Sequence, residues 1–287
     1  MTTAYLNGAF LPLGEAQVSV MDRGFLFGDG VYEVIPVYGG RLFRLAHHLK
    51  RLQNSLDAVR IANPMSENGW ADMLAELVAR NTGSDQAVYL QVTRGTAPKR
   101  DHAFPADIHP TVFAMSTPAA APRDSAAEQG IKAVTLPDIR WQHCNIKAIT
   151  LLPNVLLRQQ AIEADTAEAI LIKDGCAIEG AASNLFIVSH GLLITPPNGP
   201  ALLPGITRDL ILELAAGNGI PYCEAEIPTA DLLGADEIWL TSSTREISPV
   251  IQLDDTAISG GKPGPLWQRM IGLYQDYTAA VRRGGAS

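Results

Sequence analysis

An α+β fold in two domains is predicted by three features of the 287-residue sequence. Strand-like and helix-like runs follow one another without the regular alternation that builds a doubly wound sheet. The apolar pattern switches to a helical period at residues 45–60, where Leu45, Leu49, Leu52, Leu56 and Val59 fall on one face. Composition breaks at STPAAAPRDSAAEQG, residues 116–130, whose Ala, Pro and Ser are those of a connecting segment. The resulting division is a small N-terminal domain at 1–117, a linker at 118–126 and a larger C-terminal domain at 127–287.

The elements follow in order. YLNGAFLP is a short hairpin, because Asn7-Gly8 tolerates the positive φ of a tight turn. GVYEVIPVYGGRLFRL repeats the arrangement around Gly39-Gly40 and leads into the 45–60 helix. WADMLAELVARN is a second helix, and QAVYLQVTRG and HPTVFAMST are strands. Past the linker, IKAVTLP is a strand, and a helix follows with Pro153 in its first turn, where a missing N–H costs little. Residues 168–195 form a meander turning at Asp174-Gly175 and His190-Gly191. A helix at 206–216, the strand EIWLTSS and a terminal helix at 264–282 complete the chain.

Composition narrows the function. The net charge of −8 carries no Lys/Arg block, which argues against nucleic acid or an anionic membrane as partner. No apolar run reaches the ~20 residues that span a bilayer, and the start lacks a secretory pattern. Three cysteines without Cys-x-x-Cys spacing argue against a disulfide framework or a thiol metal site. A reduced, cytoplasmic protein without a bound metal is expected. In so acidic a chain, an anionic ligand must be held by local arginines and backbone N–H groups.

Five segments could carry chemistry. In CNIKAITLLPNVLLRQQA, Lys147 is a cation in an apolar run. Its stem can pack while the ammonium reaches solvent, or it is a desolvated Schiff-base lysine. IEGAASN places Glu179 at a strand end beside small residues, either as a turn residue or as an acid facing a heterocyclic nitrogen. LLPGITRDL turns helical after Gly205 and offers the N–H groups of Ile206 and Thr207, a natural phosphate site or a plain loop–helix junction. LTSSTREISP adds Ser242 and Ser243 at a strand end. DRGFLFGDGVYEV crowds glycines and aspartates before Tyr32, and no Gly-Lys-Ser/Thr follows to make it a phosphate loop.

Together, in this order and spacing, these segments resemble the fold-type IV pyridoxal phosphate enzymes, over nearly the whole chain. Within that family, DRGFLFGDGVYEV and QVTRGTAPKRDHAFP are most similar to the branch acting on D-amino acids. The resemblance implies a small α/β N-terminal domain, a larger mixed C-terminal domain, pyridoxal 5'-phosphate as cofactor, and a homodimer with shared active sites. It makes Lys147 the Schiff-base lysine and proton shuttle, and Glu179 the partner of the pyridine nitrogen. Arg51, Ile206, Thr207, Ser242 and Ser243 would hold the phosphate, with Leu203 under the ring. Tyr32, Arg100 and His102 would grip the substrate carboxylate, the latter two reaching from a second subunit.

The implied activity moves the amino group of a D-amino acid such as D-alanine to a 2-oxo acid such as 2-oxoglutarate. A branched-chain L-amino acid aminotransferase, an aminodeoxychorismate lyase and a non-catalytic binding protein are the alternatives. Two departures stand out. The loop TAPKRDHAF is one residue longer than the family pattern, and Arg100 rather than Lys99 keeps the Arg-x-His spacing. Ala181-Ala182-Ser183 replaces a serine-rich stretch.

Overall fold

The computed structural model describes residues 2–119 and 129–285, so most of the expected linker lies outside the described residues. The chain packs as two compact units. One comprises Met1–Ala120 with Ile146–Thr150 and Ala279–Ser287, and the other Ala121–Asn145 with Leu151–Thr278. Residues 146–150, with Lys147 among them, thus pack with the N-terminal part of the chain and not with their sequence neighbours.

The first unit contains β1 (Thr3–Leu6), β2 (Ala9–Pro12), α1 (Arg23–Phe27), β3 (Gly30–Tyr38), β4 (Arg41–Leu42), α2 (Leu45–Ala58), α3 (Glu67–Ala79), β5 (Gln86–Thr93) and β6 (Thr111–Pro118). Its antiparallel sheet runs β2-β1-β6-β5-β3-β4. Both expected hairpins form, with Asn7, Gly8, Gly39 and Gly40 all at positive φ. The leucine face of α2 packs Leu49, Leu52 and Leu56 with Val31 and Ile35 of β3 and Trp70, Leu74 and Leu77 of α3 in one core. Ser66 caps α3 by accepting from Gly69 N at 3.1 Å, a contact worth about 1 kcal/mol. The 146–150 segment adds to β3 through a Val31–Ala148 bridge, and Arg282 reaches Asp85 at 2.7 Å.

The second unit contains β7 (Ile131–Pro137), α4 (Leu152–Glu163), β8 (Glu168–Lys173), β9 (Cys176–Gly180), β10 (Asn184–Ser189), β11 (Leu192–Thr195), α5 (Ile206–Gly217), β12 (Tyr222–Glu224), β13 (Ile227–Pro228), α6 (Thr229–Leu233), β14 (Glu237–Ser242), β15 (Glu246–Leu253), β16 (Thr256–Ala257) and α7 (Pro265–Arg283) up to Thr278. The sheet order is β12-β11-β10-β14-β15-β7-β8-β9-β13, with β16 on β15. Parallel pairs β11–β12, β15–β7 and β7–β8 make it a mixed sheet. Glu237 accepts from the N–H groups of Leu266 and Trp267, both at 2.8 Å, and so fixes the start of α7.

Strand β15 is absent from the sequence expectation because Pro249 interrupts its pattern, and proline is normally confined to edges and bulges. Here β15 is an inner strand, and its pairing with β7 shifts register between Val250 and Gln252, just past the proline. The short α1 was also hidden, since Gly24 and Gly28 flank or break a helical pattern. Asp22 caps it and Gly28 closes it at φ 66°. Among the described residues, no helix is long and apolar enough to cross a membrane.

Candidate active site

In the first unit, Lys147 is stitched to the core by its backbone. Its N–H donates to Ser55 Oγ at 3.2 Å, and its carbonyl accepts from Tyr32 N at 2.9 Å. Its Nζ lies 4.3 Å from the Tyr32 ring centroid, so two residues expected in the site come together. Gly30 permits this seating, because an added Cβ would press on Ile149 and the Val92 carbonyl.

Arg51 lies near them on the buried face of α2, but it is already engaged. Its Nε and Nη2 donate to Glu33 at 2.8 and 2.7 Å, and His48 Nδ1 meets Glu33 Oε2 at 2.8 Å. Glu33 is fully buried, which favours its neutral form. The Arg51 charge, together with bonds from Arg51 and His48, outweighs that and draws its pKa down to about 2. Burial, helped by the charges of Arg51 and Lys147, lowers the His48 pKa against the pull of Glu33. His48 Nε2 is buried without a hydrogen-bond partner; with Nδ1 donating to Glu33 in the neutral ring, it is an acceptor that only a donor would satisfy.

Arg100 and His102 are exposed on the loop between β5 and β6, beside Phe27. The Arg100 guanidinium is 5.0 Å from the Phe27 ring centroid and the His102 ring is 5.2 Å from it. One ring therefore serves as platform for both residues.

In the second unit, Glu179 is 3% exposed at the end of β9. Asn184 Nδ2 and Leu203 N donate to its Oε2 at 3.1 and 3.2 Å, and Asn184 also donates to the Leu203 carbonyl at 2.8 Å. Glu179 and Leu203 are thus joined, through an asparagine that sequence reasoning missed. Arg140, missed too, donates Nη1 to Glu179 Oε1 and bonds Asp138 through its Nε and Nη2 at 2.9 and 2.8 Å. Its signal was an Asp-x-Arg pair seven residues before Lys147.

One guanidinium here serves two buried carboxylates, leaving the cluster one positive charge short. Burial pushes the Glu179 pKa up to about 7; Arg140 and Leu203 N–H pull it back only in part, and Asp138 adds to the rise. The site fits a ligand that brings a protonated nitrogen to Glu179. A folded pKa above the ordinary 4.5 gives stability that is present below pH about 4.5 and lost as pH rises through about 7. The Glu179 contribution to stability without cofactor is therefore expected to fall by about 3 kcal/mol between pH 4.5 and 8, against the opposite slope of His48, and saturating pyridoxal phosphate removes that fall. Thermal melts with and without cofactor across that range check this, and parallel curves would contradict it.

The start of α5 has no side-chain cap, and Ile206 and Thr207 are buried there. Gly205 is required before them, because a Cβ would collide with Asn184 Oδ1. Ser242 Oγ accepts from Arg245 N at 3.2 Å in the turn after β14, with Ser243 beside it, half-buried. Thr241 Oγ1 is buried without a partner, and Thr241 pairs directly with Asn184 across the sheet, which puts both on one face. An uncapped helix start, an unpartnered hydroxyl and an undercompensated acid are what a phosphorylated, protonated heterocycle requires.

Comparison with known proteins agrees with this chemistry. Residues 30–253 match the family described as amino-transferase class IV. A D-alanine aminotransferase of Bacillus licheniformis is 42% identical over 270 residues, 94% of this chain and 95% of that protein. One from Listeria monocytogenes is 37% identical over 279 residues, 97% and 96% of the two chains. Among solved structures, the branched-chain amino acid aminotransferase of Escherichia coli has a TM-score of 0.91 at 27% identity, covering 99% of this chain and 96% of that one. A second branched-chain enzyme, complexed with N-(5'-phosphopyridoxyl)-L-glutamate, has a TM-score of 0.90 at 25% identity, with the same coverage.

Proposed function

The chain belongs to the class IV aminotransferases, pyridoxal phosphate enzymes of fold type IV, and we propose that it moves the amino group of a D-amino acid, D-alanine and similar, to a 2-oxo acid such as 2-oxoglutarate. The observation that carries this reading is the 42% identity to a D-alanine aminotransferase over nearly the whole of both chains. The branched-chain enzymes share the fold at 27% identity or less among those compared. Incubation with D-alanine, L-leucine and aminodeoxychorismate, scored by product, tests it. Turnover of L-leucine with none of D-alanine would sink the reading.

Bound pyridoxal phosphate supplies an electron sink for the pair left when the substrate α-proton departs. The chain's own groups do the rest. Lys147 Nζ holds the cofactor and then moves the proton from the substrate α-carbon, as general base and then acid. Glu179 keeps the ring nitrogen protonated, with Asn184 and Leu203 N–H fixing its carboxylate. Ile206, Thr207, Ser242 and Ser243 would hold the phosphate together with Arg51, itself held by Glu33, and Leu203 would pack under the ring. Tyr32, Arg100 and His102 hold the substrate carboxylate, which decides which side of the α-carbon meets Lys147 and hence the D-preference.

On this reading Arg100→Ala raises KM for D-alanine by the equivalent of about 2–4 kcal/mol and leaves the cofactor spectrum unchanged. An unaltered KM would contradict the role given to Arg100. The proposal includes a homodimer in which Arg100 and His102 serve the partner's site. Exposed apolar side chains on α4, with Leu152 at 69% and Val155 at 60%, support a covered face there. An active enzyme that sediments strictly as a monomer would refute the shared site. A cytoplasmic setting completes the reading, supported by three free cysteines.

A further inference from the structure

We propose that Arg23, held by Asp29, is a positioning residue that sets the Arg100–His102 pair for the substrate carboxylate; this rests on the carboxylate role given above to that pair. The loop that carries them has little packing of its own, since Lys99, Arg100, Asp101 and His102 are all exposed. What holds its shape is a buried guanidinium beneath it. Arg23, 3% exposed, donates Nη1 to the carbonyls of Asp101 at 2.5 Å and Ala103 at 3.3 Å, and Nη2 to that of His102 at 3.2 Å. Three successive carbonyls, centred on His102, thus converge on one side chain.

The guanidinium is itself fixed. Its Nε donates to Asp29 Oδ2 at 2.7 Å. Asp29 is gripped from the other side by Arg94, through Nε at 2.8 Å and Nη2 at 2.9 Å. Arg94 is tied to the carbonyls of Arg60 at 2.9 Å and Val59 at 2.7 Å, and lies 3.6 Å from the Phe104 ring centroid at the far end of the loop. Arg23 also sits 4.9 Å from the Phe27 ring centroid, the platform that Arg100 and His102 share.

The ordering entropy of an exposed loop is met by this arrangement in the resting protein, so the substrate need not organise it. Two arginines on one aspartate also leave a net positive charge under the place where an anionic substrate arrives, in a protein whose total charge is −8. The task needs arginine specifically. A lysine has three donors on a single atom and cannot span Asp29 and three carbonyls at once.

The test is steady-state kinetics of the full-length holoenzyme in a double-mutant cycle. Arg23→Lys is expected to raise KM for D-alanine and 2-oxoglutarate about tenfold, with kcat within about threefold and an unchanged cofactor spectrum. In Arg23→Lys/Arg100→Ala, KM should rise over Arg100→Ala by less than the factor Arg23→Lys produces alone, because only His102 is then left to position. If Arg23→Lys does not fold, Asp29→Asn is expected to move KM in the same direction. An unchanged KM in the folded variant, or effects that multiply in the double variant, overturns the inference. A lower melting temperature with unchanged KM also overturns it, as a purely structural role. If Arg100→Ala itself leaves KM unaltered, the carboxylate reading fails and the inference falls with it. If Arg100→Ala raises KM and Arg23→Lys does not, only the inference falls.

Discussion

Replacing Lys147 with alanine is expected to lower D-alanine transamination at least about 10⁴-fold without unfolding the protein. The fold survives because two structural hydrogen bonds of this residue are made by its main chain. Its N–H reaches Ser55 Oγ and its carbonyl receives Tyr32 N–H, and both remain in the variant. What disappears is the amine above the Tyr32 ring, the group proposed both to tether the cofactor and to carry the proton. Circular dichroism and a thermal melt should match the parent. Borohydride reduction should leave the cofactor covalently attached in the parent only. Residual turnover above about 1% of the parent would remove Lys147 from the chemistry.

Glu33→Gln is expected to cost about 3–5 kcal/mol of stability, the penalty for stranding a buried charge by neutralising its partner. Glu33 is fully enclosed and accepts two bonds from Arg51 and one from His48, so the amide leaves Arg51 without its counter-charge. In the parent, the depressed Glu33 pKa gives stability that is present above about 4.5 and lost as pH falls toward about 2. The lowered His48 pKa acts in the same sense below about 6.5, because the unfolded chain then takes up a proton that the folded one resists. Urea unfolding at pH 4.5 and pH 2.5, across the window in which Glu33 titrates, should show the variant losing less on acidification than the parent. Equal losses would mean that Glu33 is not the acid-sensitive element.

The framework was legible wherever local chemistry decides it. Asn7-Gly8 and Asp174-Gly175 announce their turns, and the leucine spacing of 45–60 gives α2 to within two residues. The family resemblance puts Glu179 and Leu203 in one site, and in the second unit the two are hydrogen-bonded. The remainder depends on long-range pairing that no local pattern encodes. Nothing in PDIRWQHC says that Arg140 will be shared between Asp138 and Glu179, nearly forty residues away. Glu33 sits in an apolar run where alternation puts it on the face of Val31, and only the packing of α2 reveals His48 and Arg51 as its partners. Pro249 hid an inner strand because the accommodating register shift is made by its neighbour, not by its own sequence.

The pairing of Val31 with Ala148 has a consequence for how the protein is made. The first unit takes residues from the beginning, the middle and the end of the chain. A nascent chain emerging from the ribosome can form the six-stranded sheet early, but β3 waits for a segment more than a hundred residues downstream. The Asp85–Arg282 contact waits for a segment nearly two hundred residues downstream of Asp85. Closing loops of that length is slow, and the Val31–Ala148 closure becomes possible before most of the second unit, residues 151–278, has been synthesised. The lysine to which the chemistry is assigned is therefore seated only after all six strands of that sheet have been made, so translation products ending before residue 147 cannot bind the cofactor covalently through it.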